Sequence, residues 1–201
     1  MGAGGSGMIV DLLRHGEPVG GRRYRGQTDD PLSDKGWKQM WTAVAGQQPW
    51  QVIVTSTLSR CREFAWALGE SAAIPVCDDA RFREISFGAW EGLTAAEVCA
   101  DDPDRLNNYL NDPVNHAPPD AEPLADFYSR VVDGWEALLR EHDGKQVLIV
   151  AHAGVIRAVT AHILGMPGEN LYRLQVANAA ISRIRMDAGR HPVLQWCNGH
   201  I

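Results

Sequence analysis

Short apolar runs alternate with segments of helical period along this chain, and most of the runs break off at a charged residue, a serine or a glycine. Met8-Ile9-Val10-Asp11-Leu12-Leu13 reads as a buried strand ending at Arg14. Gln51 to Thr55 reads as a second strand, ending at Ser56, and the most apolar run, Gln146 to Val150, leads to His152. Between them, Ser33 caps a helix whose Trp37, Met40, Trp41 and Val44 fall at i, i+3, i+4, i+7, with Gly46 closing it. Cys61, Phe64, Ala65 and Leu68 repeat that spacing up to Gly69. A long helix is predicted from Leu124 to His142 despite Gly134. Another opens at Gly154 and runs to Leu164, stopped by Gly165 and Pro167. Pro75-Val76-Cys77 predicts a short strand, and more strands are predicted near 171–176, 180–186 and 193–197. Trp37 and Trp41 are expected in the core.

This alternation predicts an α/β fold: a three-layer, doubly wound, mostly parallel sheet with helices on both faces. No internal repeat or linker interrupts it, so one domain is expected over residues 8–201. Residues 81–125, broken by Pro103, Pro113, Pro118 and Pro119, read as a small helical lid insertion with short helices at 94–100 and 103–111. Residues 1–7 contain a literal G-x-G-x-x-G that precedes the first strand instead of following one, which rules out the dinucleotide reading. They are expected to be a tag remnant or leader ahead of a start at Met8.

Charge narrows the partners. The net charge of −6 argues against nucleic acid or an anionic membrane as a partner. No apolar run approaches a membrane span, no signal peptide is apparent, and a cytoplasmic location is expected. Cys61, Cys77, Cys99 and Cys197 match no zinc or redox spacing and read as reduced thiols. Residues 101–143 alone carry −8, so the rest of the chain is mildly basic, and its basic residues are overwhelmingly arginine. Arginine suits bidentate binding of phosphate or carboxylate.

In doubly wound sheets ligands bind beyond the carboxyl ends of the strands. Three predicted strand ends bring Arg14-His15-Gly16, Ser56 with Arg60, and Ala151-His152-Ala153-Gly154 to one rim. A lone histidine there is usually structural; two histidines and two arginines together are not easily explained that way.

These residues carry a resemblance. Leu13-Arg14-His15-Gly16-Glu17 resembles the defining motif of the histidine phosphatase superfamily, the phosphoglycerate-mutase-like fold. Arg25-Gly26-Gln27-Thr28-Asp29-Asp30-Pro31-Leu32 with Gly36, Ser56-Thr57-Leu58-Ser59-Arg60, Arg83-Glu84 with Gly88-Ala89-Trp90-Glu91-Gly92, and Val150-Ala151-His152-Ala153-Gly154 resemble its further blocks, in the family's order. The resemblance implies that His15 is the nucleophile and that Arg14, Arg60 and His152 hold the phosphoryl oxygens. Glu84 would be the proton donor and then the base. It implies no metal and no cofactor. Arg25, Gly26, Gln27 and Ala153 are the expected substrate contacts. His15 would have to be neutral, its other ring nitrogen donating to a backbone carbonyl.

One departure stands out. Many members carry an Asn shortly after the first motif, and here Glu17 leads to Pro18-Val19-Gly20-Gly21, leaving Arg22, Arg23 or Arg25 to fill that space. The loop from Glu17 to Gly26 is similar to that of alpha-ribazole phosphatases of cobalamin biosynthesis. The expected partner is therefore a small phosphorylated substrate, first alpha-ribazole 5′-phosphate, with Tyr24 or Trp90 facing its ring system. A broad phosphatase, a phosphoglycerate mutase or a non-catalytic binding module on the same fold are the alternatives, and a homodimer is compatible with the sequence.

Overall fold

The computed structural model describes residues 7–46 and 48–199. The expected leader over residues 1–7 lies, apart from Gly7, outside the described residues. Six strands form one sheet: β1 (Met8–Arg14), β2 (Val52–Thr55), β3 (Val76–Asp78), β4 (Gln146–Ala151), β5 (Ile181–Met186) and β6 (Val193–Gly199). Their order is β3-β2-β4-β1-β5-β6. The pairs β3–β2, β2–β4 and β4–β1 are parallel, and β1–β5 and β5–β6 antiparallel, so the sheet is mixed with a parallel majority.

Helices α1 (Asp34–Ala43) and α2 (Ser59–Ala72) cover one face; α5 (Leu124–Glu141) and α6 (Ala153–Ile163) cover the other. The alternation of a strand fixes which residue joins which layer. Leu13, Leu148 and Val150 pack with Met40, Phe64 and Leu68, while Val10, Leu12, Val147 and Ile149 pack with Phe127, Trp135 and Val159. The Ser33 side chain accepts the Gly36 amide, as its position predicts. Such a cap is worth about 1 kcal/mol. Gly134 is buried in α5 because a side chain there would press on Arg81 and the Phe82 ring at 3.1–3.2 Å.

Central strand β1 buries a carboxylate. Asp11 has no exposed surface and accepts Trp50 Nε1 at 2.8 Å and Arg183 at 2.7 and 2.8 Å. Arg183 in turn lies over the Trp196 ring at 4.5 Å. The charge is closed on every side by donors.

Two expectations need correction. The strand predicted near 171–176 is a 3-10 helix, Gly168–Arg173, followed by an extended stretch. Pro167 sets its first turn, and of its six residues Leu171 alone is buried, which is not the period of two a strand needs. The second correction concerns α1. Trp41 is 37% exposed and Trp37 is only partly buried; both lean on the edge of the Phe64 ring and cap the layer instead of filling it.

Between β3 and α5 the chain forms two 3-10 turns, Ala80–Phe82 and Gly88–Trp90, and the short helices α3 (Ala95–Val98) and α4 (Arg105–Asn111). Tyr109 of α4 is buried against Phe87, Trp90 and Tyr172, and its hydroxyl bonds that of Tyr172. Among the described residues no helix is long and apolar enough to cross a membrane.

Candidate active site

Strand order brings the predicted rim together. β4 lies between β2 and β1, and the ladder runs on past the strand ends. His15 N donates to the Ala151 carbonyl at 3.0 Å and Ser56 N to the Val150 carbonyl at 3.0 Å. The rings of His15 and His152 therefore sit edge to face with centroids 5.2 Å apart.

His15 is 6% exposed. Its Nδ1 lies 2.7 Å from the Gly16 carbonyl, which can only accept, so Nδ1 carries the proton. Burial first, then the charges of Arg60 and Arg14, push the ring well below the ordinary histidine pKa. It is neutral, with the lone pair on Nε2, which has no protein partner among the described residues and is not sealed from solvent. His152 is fully buried and is likewise held neutral by burial and by Arg60. Its Nε2 is 2.8 Å from Ser56 Oγ, and Cys61 Sγ lies 3.5 Å from the same nitrogen. Ser56 Oγ already accepts the Leu58 amide at 3.3 Å, leaving its proton free for His152.

Both arginines are held by carbonyls. Arg14 donates to Val176 O at 2.6 Å, and Arg60 to Thr28 O and Gly26 O at 2.8 Å. Neither makes an ion pair among the described residues, and in both the buried Nε has no partner. Burial lowers Arg14 to about 10, so it remains charged at neutral pH.

Glu84 is 7% exposed and its carboxylate meets the opening of α6. Gly154 N donates to Oε2 and Ile85 N to Oε1, each at 3.0 Å. A side chain at Gly154 would stand 2.1 Å from Oε1, so glycine is what lets the helix meet this carboxylate. Ala153 is the first residue of α6, beside these groups.

The other expected contacts are turned to different work. Arg25 Nε donates to Asp30 at 2.5 Å, and its terminal nitrogens to Gly21 O and Val19 O at 2.6 and 2.5 Å, so the guanidinium braces its own loop. The Gly26 amide is taken by Glu91 at 3.1 Å, and the Gln27 side chain donates to Glu84 O at 2.5 Å. Arg23 is likewise tied to Gly20 O and Gly92 O. Trp90 is 4% exposed and belongs to the core. Of the residues near the missing Asn, Arg22 alone keeps an exposed guanidinium with no partner among the described residues.

Several supporting residues escaped sequence reasoning. Glu91 accepts the amides of Gly26, Gln27, Thr28 and Phe87 and the Thr28 hydroxyl, which shapes the loop whose carbonyls hold Arg60. Burial raises its pKa, yet these bonds outweigh that and leave it below the usual carboxylate range. Arg130 of α5, paired with Glu122 at 2.6 Å, donates to the carbonyls of Arg81, Arg83 and Glu84. The block Gly88 to Gly92 pointed to Glu91; for Arg130, sequence offered no signal beyond its place on a helix.

The family model described as histidine phosphatase superfamily (branch 1) matches residues 10–199. A bifunctional protein of Mycobacterium tuberculosis is 33% identical over 186 residues, covering 90% of this chain and 51% of that protein. The chain thus spans about half the length of the first curated relatives it matches. The structure of a mycobacterial glucosyl-3-phosphoglycerate phosphatase has a TM-score of 0.85 at 31% identity, covering 95% of this chain and 98% of that one. That of the alpha-ribazole phosphatase from Shigella flexneri has a TM-score of 0.79 at 27% identity, with 96% of each chain covered.

Proposed function

Since the chain belongs to branch 1 of the histidine phosphatase superfamily, we propose that it hydrolyses small phosphomonoesters through a phosphohistidine on His15. The observation that carries this reading is the His15 ring: neutral, with Nδ1 bound to the Gly16 carbonyl and Nε2 open beside Arg14 and Arg60.

Nε2 attacks phosphorus and the bond from phosphorus to the ester oxygen breaks. Arg14, Arg60 and His152 stabilise the charge spread over the three remaining oxygens. Glu84, in its protonated form, gives its proton to the departing oxygen. As carboxylate it then takes a proton from the water that attacks the phosphohistidine, which releases phosphate and restores the neutral ring. Arg25, Gly26 and Gln27 act by shaping the loop around Arg60, and Ala153 by opening α6 toward the phosphate. No cofactor or metal enters these steps.

The loop resemblance puts alpha-ribazole 5′-phosphate first among the candidate substrates. With Trp90 in the core, its support in the fold narrows to Tyr24, which is only partly buried. The relatives named above divide between two phosphate esters, so the proposal is carried at the level of the reaction.

The test is hydrolysis of 32P-labelled p-nitrophenyl phosphate with trapping of the intermediate in an alkaline detergent quench. We expect base-stable, acid-labile label on His15 and none in His15→Ala. Label on another residue, or turnover with no labelled intermediate, would refute the reading. Transfer of the label to a second hydroxy acid instead of water would make the protein a mutase.

A further inference from the structure

Arg14 and Arg60 serve the same phosphoryl position, but they are anchored unequally. Arg60 donates to two carbonyls at 2.8 Å, both in the loop that Glu91 shapes. The Arg14 side chain makes a single hydrogen bond among the described residues, from Nη1 to Val176 O at 2.6 Å, and its buried Nε has no partner. The direction of its guanidinium therefore depends on where that one carbonyl is held.

Val176 belongs to no strand or helix; it lies between the 3-10 helix Gly168–Arg173 and β5. Among the described residues neither Gln175 nor Val176 joins a backbone–backbone hydrogen bond. Exposed Gln175, buried Val176 and exposed Ala177 alternate as extended chain does. In such chain the backbone polar groups of successive residues point to opposite sides. Leu174 O and Val176 O face one way and receive Arg157 and Arg14. Gln175 O and the Ala177 N–H face the other way, and one side chain takes both. Asn198 Nδ2 donates to Gln175 O at 2.6 Å, and Asn198 Oδ1 accepts Ala177 N at 2.8 Å. The Cys197 thiol reaches Gln175 O only at 4.0 Å.

The Asn198 amide thus pairs with this stretch as the backbone of a neighbouring strand would, with one donor and one acceptor across Val176. Local structure frees it to do so. Asn198 stands near the end of β6, where the ladder with β5 slips. Arg183 pairs with Trp196 but Ile181 with Gly199, so β6 has one residue more than β5 between the two pairs. Asn198 has φ 56°, in the left-handed region that asparagine enters more readily than most residues. A bulge of this kind re-aims a side chain away from the ladder.

Resting on the proposed phosphatase reading, we infer that Asn198 is a positioning residue for Arg14: the end of β6 fixes the carbonyl that aims the phosphate-binding guanidinium. Its amide is engaged by Gln175 and Ala177, so it acts through Arg14 and not on the substrate. The His15 carbonyl is held separately, further along the chain, by Ala179 N at 3.3 Å and Asn178 Nδ2 at 3.2 Å. Loss of the Asn198 amide therefore loosens Arg14 and leaves the nucleophile in place.

The test is a double-mutant cycle with Asn198→Gly, which keeps the left-handed backbone and removes the amide. It should lower kcat/KM for p-nitrophenyl phosphate about tenfold, because Arg14 is no longer held in its working position. Binding of inorganic phosphate, read by calorimetry, should weaken about threefold or more. Asn198→Asp tolerates the same backbone but turns a carboxylate oxygen on Gln175 O, and should lose at least as much. In an Arg14→Gln background either substitution should change both quantities by less than about twofold. A residue that merely supports the fold would lower them by the same factor in both backgrounds, so losses that multiply would overturn the inference. Full activity and full phosphate binding in Asn198→Gly would overturn it as well. Phosphate binding needs no reaction, which tells the anchoring of Arg14 apart from the chemistry at His15. A coupled loss of binding in a chain that forms no phosphohistidine would keep Asn198 behind Arg14 and refute the reaction. Turnover through labelled His15 with uncoupled losses would do the reverse.

Discussion

Strand β1 carries buried charge in its middle and at its carboxyl end, and the two are treated in opposite ways. Asp11 is enclosed by Trp50 and Arg183, so every acceptor position that matters is met by protein. Three residues on, Arg14 is tied to a single carbonyl, and its neighbour Arg60 is buried with carbonyl partners only. A buried charge without a counter-charge is unfavourable by several kcal/mol unless something compensates it. Around Asp11 the protein supplies the compensation itself, and the result is structure. At the strand end it is left for a ligand, and the result is a site.

The largest effect expected is at the nucleophile. His15→Ala should lower kcat/KM for p-nitrophenyl phosphate by at least about 10³-fold while the melting temperature holds or rises, because a desolvated ring is removed from among cations. Loss of stability in step with activity would place His15 with Asp11 as a structural group.

Exchanging the roles of the two charges gives the next test. Asp11→Ala leaves Arg183 without its acid and should destabilise the fold by about 3–5 kcal/mol in urea unfolding, with kcat of the folded fraction little changed. Arg60→Met should do the opposite, lowering kcat roughly 10²–10³-fold at little loss of stability. Inorganic phosphate should raise the melting temperature of the unaltered chain and lose that effect in Arg60→Met. If both variants lost stability alike, the contrast between closed and open charge would be broken.

Gly154→Ala probes the edge of the open region. The added methyl would meet Glu84 Oε1, so the carboxylate must move. Turnover of alkyl phosphates, whose leaving oxygen needs the proton, should fall about 10²-fold, and that of p-nitrophenyl phosphate by much less. Equal losses for both esters would remove Glu84 from the proton transfer.

This contrast was only half legible in the sequence. The strand ends could be read because apolar runs stop where His15, Ser56 and His152 begin, and a doubly wound sheet sends such ends to one rim. The partners of each charge could not be read. Arg25 and Arg60 lie in equally plausible blocks, yet one closes on Asp30 five residues on, while the other is held by the Thr28 carbonyl 32 residues back and faces the site.

The neutral histidines extend the comparison to pH. In the unfolded chain His15 and His152 take up protons near pH 6.5, while in the folded chain both are held well below that. Stability is therefore unaffected by them above about 6.5 and falls as pH drops below it, by up to about 1.4 kcal/mol per pH unit for each ring. Urea unfolding between pH 7 and 5 should show this slope, and His152→Asn should flatten it. A His15 or His152 ring titrating near 6.5 by NMR would contradict the neutral site.

The smallest effect belongs to a third class of charge, neither closed nor open but exposed. Residues 101–143 carry most of the acidity, and Asp101, Asp104, Asp126, Asp133, Glu141 and Asp143 all lie in solvent. At physiological salt the field of such groups is screened within about 8 Å. Asp101→Asn with Asp104→Asn should therefore change kcat/KM by less than about twofold at 0.15 M salt. At 0.01 M the screening length grows to about 30 Å, and removing two negative charges should then speed the approach of an anionic substrate, raising kcat/KM. A loss of activity at either salt would mean that one of these carboxylates touches the site.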